Sequence, residues 1–175
     1  MSPQKTITVS LPQLAKMIDH SFLHPTTTDA DILAGLKISR ERHVATACMK
    51  PYLVPLAKKE LSGTDVLVCA VIGFPHGNST TEIKVAETIA VQRLGATVSH
   101  LKRMRENSGK DVQVKTSGGV RTLDDLLHVM DLGVTRIGAT ATVAILDEAK
   151  RQGIGEKPVE VSFKSMKEEG RTGGY

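Results

Sequence analysis

The sequence predicts an α/β fold of (β/α)8 barrel type in incomplete form, and three observations lead there. First, apolar β-branched runs alternate along the chain with segments of helical apolar spacing, the pattern of a parallel sheet with right-handed crossovers. Second, the stretch Asp111-Val-Gln-Val-Lys115-Thr-Ser-Gly118-Gly119-Val120-Arg121-Thr122 reads as a buried strand, a lysine, a Gly-Gly turn and a helix start. Third, Arg136-Ile-Gly138-Ala-Thr140 repeats that arrangement. Two consecutive strand ends with phosphate-friendly turns fit the last two strands of a barrel, whose chemistry sits at the C-terminal ends of its strands. The count falls short, because about five βα units are legible where a barrel has eight. A typical barrel takes about 250 residues, so a chain of 175 lacks about 75, or three units.

The elements follow in order. Residues 1–10 read as a loose or weakly extended arm, residues 11–152 as the partial barrel domain and residues 153–175 as a Gly- and Lys-rich tail. A short helix over Leu11 to Met17 precedes a first strand, Ile18 to Leu23. Thr28 and Asp31 form a capping box for a helix with core face Ile32, Leu33 and Leu36. A second strand, Val44 to Cys48, leads through Lys50-Pro51 to a helix ending near Gly63. The third strand, Val66 to Ile72, is apolar throughout and should be buried on both faces. Gly73 to Gly77 turns into a helix boxed by Ser79 and Glu82, with Ile83, Ala86, Ile89 and Ala90 as its inner side. A helix from Val98 to Asn107 comes next, then the central strand and a helix capped by Thr122 and Asp125. That helix carries Leu123, Leu126, Leu127 and Met130 at i, i+3, i+4, i+7. A last strand, Val134 to Gly138, and a helix from Thr142 to Gln152 complete the pattern. Strand three should either pair with the central strand or leave open edges that invite self-association.

Composition sets the class. Hydrophobic residues make up 40%, which is ordinary for a globular protein. The net charge of +4 comes with 3% aromatics and scattered basic residues, so a nucleic-acid partner is not expected; the cluster Lys102-Arg103-Met104-Arg105 reads as a solvated face. Local positive charge suits a phosphorylated small substrate equally well. No apolar run reaches the roughly 18 residues of a membrane span and no signal-peptide core is present, so no membrane partner is expected. Cys48 and Cys69 fall in strand-like runs and are expected as reduced thiols of a cytoplasmic protein. His20 and His24 are four apart but flank a strand end, which does not suit a metal site, and no cofactor is expected.

At the central stretch, Gly118 and Gly119 let backbone N–H groups approach a ligand, and a helix N-terminus behind them favours an anion. Lys115 is placed beside this cradle, which Gly138 and Thr140 should close. Each residue also has a plain reading: a strand-end lysine is usually a solvated charge, and two glycines before a helix are usually a turn. Asp19, ending strand one, orients polar groups in a site or serves structure.

Leu14-Ala-Lys-Met-Ile-Asp19-His-Ser-Phe-Leu23, Cys48-Met-Lys-Pro-Tyr52, Val68-Cys-Ala-Val-Ile-Gly-Phe-Pro75, Val114-Lys-Thr-Ser-Gly-Gly-Val-Arg-Thr122, Thr135-Arg-Ile-Gly-Ala-Thr140 and the final Gly-Gly-Tyr175 together resemble the deoxyribose-phosphate aldolase family. The resemblance implies a class I, Schiff-base lyase of deoxyribonucleotide and carbohydrate catabolism, cleaving 2-deoxy-D-ribose 5-phosphate reversibly to D-glyceraldehyde 3-phosphate and acetaldehyde. It implies catalytic roles for Lys115 and the terminal Tyr175; Asp19 is the catalytic candidate that the residues add, Gly118, Gly119, Val120, Arg121, Gly138 and Thr140 are the substrate-binding candidates, and Cys48 at the mouth is a substrate contact or a bystander. The resemblance also implies that strands four to six are deleted, with the family's proton-relay aspartate and its sixth-strand lysine. Lys115 aligns with the family's second active-site lysine, while its Lys-Thr-Ser context resembles the lost Schiff-base motif; the two assignments stay open. Lys50 stands where the family often has asparagine, and His76 where it often has an apolar residue. A shortened enzyme of impaired activity, a non-catalytic sugar-phosphate binder and an interaction protein, each open to homo-oligomerisation, are the functional expectations.

Overall fold

The structure, a computed structural model, describes residues 4–94, 115–117 and 119–164, with the backbone alone at 4 and 115–117. The chain divides into two compact units, one built from Met1–Asp19 with Lys102–Tyr175 and the other from His20–Leu101. The expected helix over 98–107 and the first part of the central strand lie outside the described residues.

In the first unit, the arm expected to be loose or weakly extended forms a strand, β1 (Gln4–Val9), and the expected tail holds its partner, β7 (Val159–Lys164). They pair antiparallel from Gln4↔Lys164 to Val9↔Val159. The reason is a two-residue alternation in β7: Val161 and Phe163 are buried while Glu160, Ser162 and Lys164 are exposed. Helix α1 (Leu11–Met17) starts where predicted, with Gln13 reaching back to the Ser10 N–H at 2.8 Å. Strand β5 (Lys115–Ser117) runs parallel to β6 (Arg136–Ala139), with Lys115↔Arg136 and Ser117↔Gly138 in register. Helix α5 (Leu123–Asp131) buries Leu123, Leu126 and Leu127 at the predicted spacing, with Met130 half-buried. Helix α6 (Thr142–Arg151) turns Ile145, Leu146 and Ala149 inward. Fully burying such aliphatic side chains stabilises the unit by about 1.5–3 kcal/mol each before entropy is charged.

The second unit begins inside strand β2 (Ile18–Ser21) and holds helix α2 (Asp29–Glu41), strand β3 (Thr46–Met49), a 3₁₀ turn over Pro51–Leu53, helix α3 (Val54–Glu60), strand β4 (Leu67–Ala70) and helix α4 (Thr81–Arg93). The Thr28–Asp31 box forms as expected. Ile32 and Leu36 are buried, but Leu33 is 46% exposed and is not part of the core. Gly35 lies against the Phe22 ring so closely that any Cβ there would collide with it. Strands β3 and β4 run parallel from Thr46↔Leu67 to Met49↔Ala70. Leu67 is 50% exposed, so β4 is not buried on both faces. Among the described residues β4 pairs only with β3, and β5 only with β6. Among the described residues each therefore has one unpaired edge.

Helix α4 departs most from expectation. Its cap is Thr80, whose hydroxyl accepts from the Ile83 N–H, and the Ser79 hydroxyl is buried with no hydrogen-bond partner. The inward positions are Lys84, Glu87, Thr88 and Val91, while Ile83, Ala86, Ile89 and Ala90 face out. Polar bonding explains the rotation: the Gly73 N–H donates to Glu87 Oε2 at 2.7 Å, and Lys84 Nζ donates to the Gly77 carbonyl at 3.2 Å. These bonds hold the Gly73–Gly77 turn and decide the helix face over its apolar pattern.

Candidate active site

In the first unit the ends of β5 and β6 lie side by side, with Ser117 opposite Gly138. The turn after β5 passes through Gly119 at φ +79, a conformation that suits glycine, and an exposed Arg121 follows. Gly138 is the penultimate residue of β6, and Thr140 is exposed just beyond the strand. Gly119, Val120, Arg121, Gly138 and Thr140 are thus gathered at one end of one strand pair. The side chain of Lys115, all of Gly118 and Tyr175 lie outside the described residues.

Two helices start at this end, and they differ. At α5, Thr122 accepts from the Asp125 N–H at 3.1 Å, and Asp125 Oδ2 accepts from the N–H of both Thr122 and Arg121, at 3.1 and 3.0 Å. The Arg121 N–H is therefore committed to a carboxylate and does not serve an anion. What Arg121 brings to the turn is its guanidinium. Helix α6 begins after Ala141 with no side-chain cap and no acidic residue in its first turn. A helix start without cap or carboxylate favours an anion through its unsatisfied N–H groups and its dipole.

Asp19 is almost fully buried, with Oδ1 3.5 Å from Arg136 Nη1. The same guanidinium nitrogen donates to the Lys16 carbonyl at 3.2 Å. Arg136 is the residue that sequence reasoning missed. Its only signal is a charge at the start of a strand otherwise short and small, Arg-Ile-Gly-Ala. By register it stands opposite Lys115, so the pair ties Asp19 to the β5–β6 sheet.

In the second unit, Cys48 is buried in β3 and its carbonyl accepts from the Phe22 N–H at 2.9 Å. Lys50 Nζ donates to the His24 carbonyl at 3.3 Å, which anchors its side chain. His20 packs edge-on against Phe22, with ring centroids 4.9 Å apart. Burial pushes its imidazole down from the usual 6.5 to about 4, so it is neutral at physiological pH. His24 Nδ1 lies 2.8 Å from Thr26 Oγ1. Among the described residues no group of three His, Cys, Asp or Glu side chains is arranged to hold a metal ion, and no helix is long and apolar enough to cross a membrane.

No family model matches the chain. The deoxyribose-phosphate aldolase of Rhodopirellula baltica is 30% identical over 227 aligned positions, spanning 85% of this chain and 94% of the relative. The chain belongs to the deoxyribose-phosphate aldolase family. The aldolase of Clostridium perfringens strain SM101 agrees, at 32% identity over 77% of this chain and 95% of its own length. Since 85% of 175 residues is about 149, about 78 of the 227 aligned positions face no residue here. That matches an internal deletion of three βα units. Among solved structures, a provisionally named deoxyribose-phosphate aldolase from Coccidioides immitis superposes with a TM-score of 0.73 at 21% identity, covering 82% of this chain and 88% of that one. The tetrameric deoxyribose phosphate aldolase of Aeropyrum pernix gives 0.65 at 20% identity, over 82% and 93%. These likenesses show the fold: an aldolase-type α/β barrel with fewer than eight units among the described residues. The family is one of lyases.

Proposed function

We propose that this chain acts on 2-deoxy-D-ribose 5-phosphate as a deoxyribose-phosphate aldolase of reduced activity, with Lys115 as its amine. The observation that carries the reading is family membership together with the joined ends of β5 and β6. The Lys115 amine adds to the sugar's aldehyde carbon, and loss of water leaves a protonated imine. The imine draws the electron pair of the breaking carbon–carbon bond while the C3 hydroxyl gives up its proton to solvent and becomes the aldehyde of the released D-glyceraldehyde 3-phosphate; protonation of the enamine carbon and hydrolysis release acetaldehyde and the lysine. The amine must be neutral to attack, although a free lysine titrates near 10.4, so it needs a neighbouring cation or desolvation. Arg136, its register partner, joins Arg121 as a source of positive charge on this sheet.

For the phosphate, the uncapped start of α6 supports a site at Gly138 and Thr140, with the Gly119 turn and the Arg121 guanidinium beside it. Asp19, held by Arg136 at the start of β6, is a positioning group for the β5–β6 sheet, and Tyr175 keeps the catalytic role that the resemblance implies. Activity is reduced because the family's acid–base partner falls in the deleted units, and such groups are typically worth about 10²–10⁴-fold. The open edges of β4 and β5 and the outward apolar face of α4 support association with further copies.

Borohydride trapping with deoxyribose phosphate, read by peptide mass, tests the reading. An adduct on Lys115 that disappears in Lys115→Met supports a one-lysine aldolase. Phosphate-dependent binding with no adduct anywhere would make the chain a non-catalytic sugar-phosphate binder.

A further inference from the structure

We propose that Cys48 and Cys69 form a reversible oxidation site, two thiols that a peroxide closes into a disulfide between β3 and β4. The two are register partners in the parallel pair, and both are buried thiols, 3% and 2% exposed. Neighbouring strands lie about 4.8 Å apart, inside the Cα range of about 4.4–6.8 Å that disulfides span. Register partners in a parallel pair project to the same face, so the two sulfurs share one side of the sheet.

The geometry also makes the bond reversible. Disulfides prefer a Cβ separation of about 3.8 Å, less than the strand spacing, so closure draws the strands together and leaves a strained, readily reduced bond. Strand β4 can yield because it has one strand partner among the described residues. Leu67, two residues before Cys69 on the same face, is half exposed, so that face of β4 reaches solvent within two residues of the thiol.

In the reaction, one thiolate attacks a peroxide oxygen. Hydroxide leaves and takes a proton as water, and the sulfur becomes a sulfenic acid. The second sulfur then attacks the sulfenic sulfur, its own proton is lost, and the departing hydroxide is protonated to a second water. Two thiols are oxidised, hydrogen peroxide is reduced to two waters, and no other redox partner is needed. The site is independent of the aldolase reading, since it needs neither Lys115 nor a sugar.

Hydrogen peroxide added to the full chain, followed by alkylation in denaturant and peptide mapping, decides the matter. Both thiols should disappear together into one linked pair, Cys48 peptide with Cys69 peptide. The folded circular dichroism should be retained, and dithiothreitol should restore both thiols. Cys69→Ser should divert Cys48 to sulfinic and sulfonic acids or to bonds between chains. Should that variant misfold, the wild-type map still decides. Over-oxidation of one cysteine with the other intact, cross-links only between wild-type chains, or two thiols left untouched while methionines oxidise would each overturn the proposal.

Discussion

His20 offers a stability test whose size follows from its surroundings. The imidazole is buried against Phe22 in the second unit, and burial lowers it from 6.5 to about 4. The folded value lies below the unfolded one, so between the two the unfolded chain binds the extra proton. Stability is full above pH 6.5 and falls as the pH drops through 6.5 toward 4; below that both states are protonated and no further loss comes from this group. A shift of that size amounts to about 3 kcal/mol over the whole window, and about 2 kcal/mol of it is lost between pH 7 and pH 5. The carboxyls of Asp31 and Glu82 are held below the usual range, the first by its bonds to Thr28 and the second by its own backbone N–H and Thr80. Their contribution is lost only as the pH falls below the unfolded carboxylate value, so the interval from 7 to 5 isolates His20 from them. Urea unfolding of the wild type and of His20→Gln, followed by far-ultraviolet circular dichroism at pH 7, 6 and 5, should show the wild type losing about 2 kcal/mol more. Direct titration of the ring by nuclear magnetic resonance gives the decisive comparison. An imidazole that titrates near 6.5 in the folded chain, or parallel pH profiles for the two proteins, would refute the burial argument.

Three further outcomes are expected. Arg121→Ala should weaken binding of a phosphorylated sugar, measured calorimetrically, and leave an unphosphorylated analogue unaffected; equal loss for both would make Arg121 structural. Asp19→Ala should cost about 1–3 kcal/mol in urea unfolding, below the 3–5 typical of a fully buried pair, because the Arg136 side chain keeps 29% exposure; a loss under 0.5 kcal/mol would show that the pair holds nothing. Thr122→Ala, which removes a cap from the self-contained start of α5, should cost about 1 kcal/mol with sugar-phosphate affinity unchanged, whereas a matching fall in affinity would return the anion site to α5.

What was legible in the sequence was local. Helix α1 and the boxes at Thr28 and Thr122 involve partners three residues apart, and residue type alone specifies them. The heptad-like spacing of α5 was enough to find its buried leucines. Where two local signals competed, as with the adjacent hydroxyls of Ser79 and Thr80, the pattern could not choose. The face of α4 was misread because its rotation is set by Glu87 reaching back to Gly73 and Lys84 to Gly77, bonds that hydrophobic periodicity does not register. At the candidate site, the glycine turns and strand ends were visible, but the commitment of the Arg121 N–H to Asp125 was not. Nor was the Asp19–Arg136 pair, whose members are 117 positions apart; only the fold brings such residues together.

The pairing of β1 with β7 dictates an order of events during synthesis. The second unit is contiguous, His20–Leu101, and all its contacts are available once that segment has left the ribosome. The first unit needs segments far apart in sequence: Gln4 waits for Lys164, so about 160 residues are translated after Gln4 before β1 meets its partner. At about 5–20 residues per second, that delay lasts roughly ten to thirty seconds. Throughout it, the strand Gln-Lys-Thr-Ile-Thr-Val of β1 has no β7 to pair with, and a nascent chain in that state must be shielded or must tolerate transient pairing with other strands.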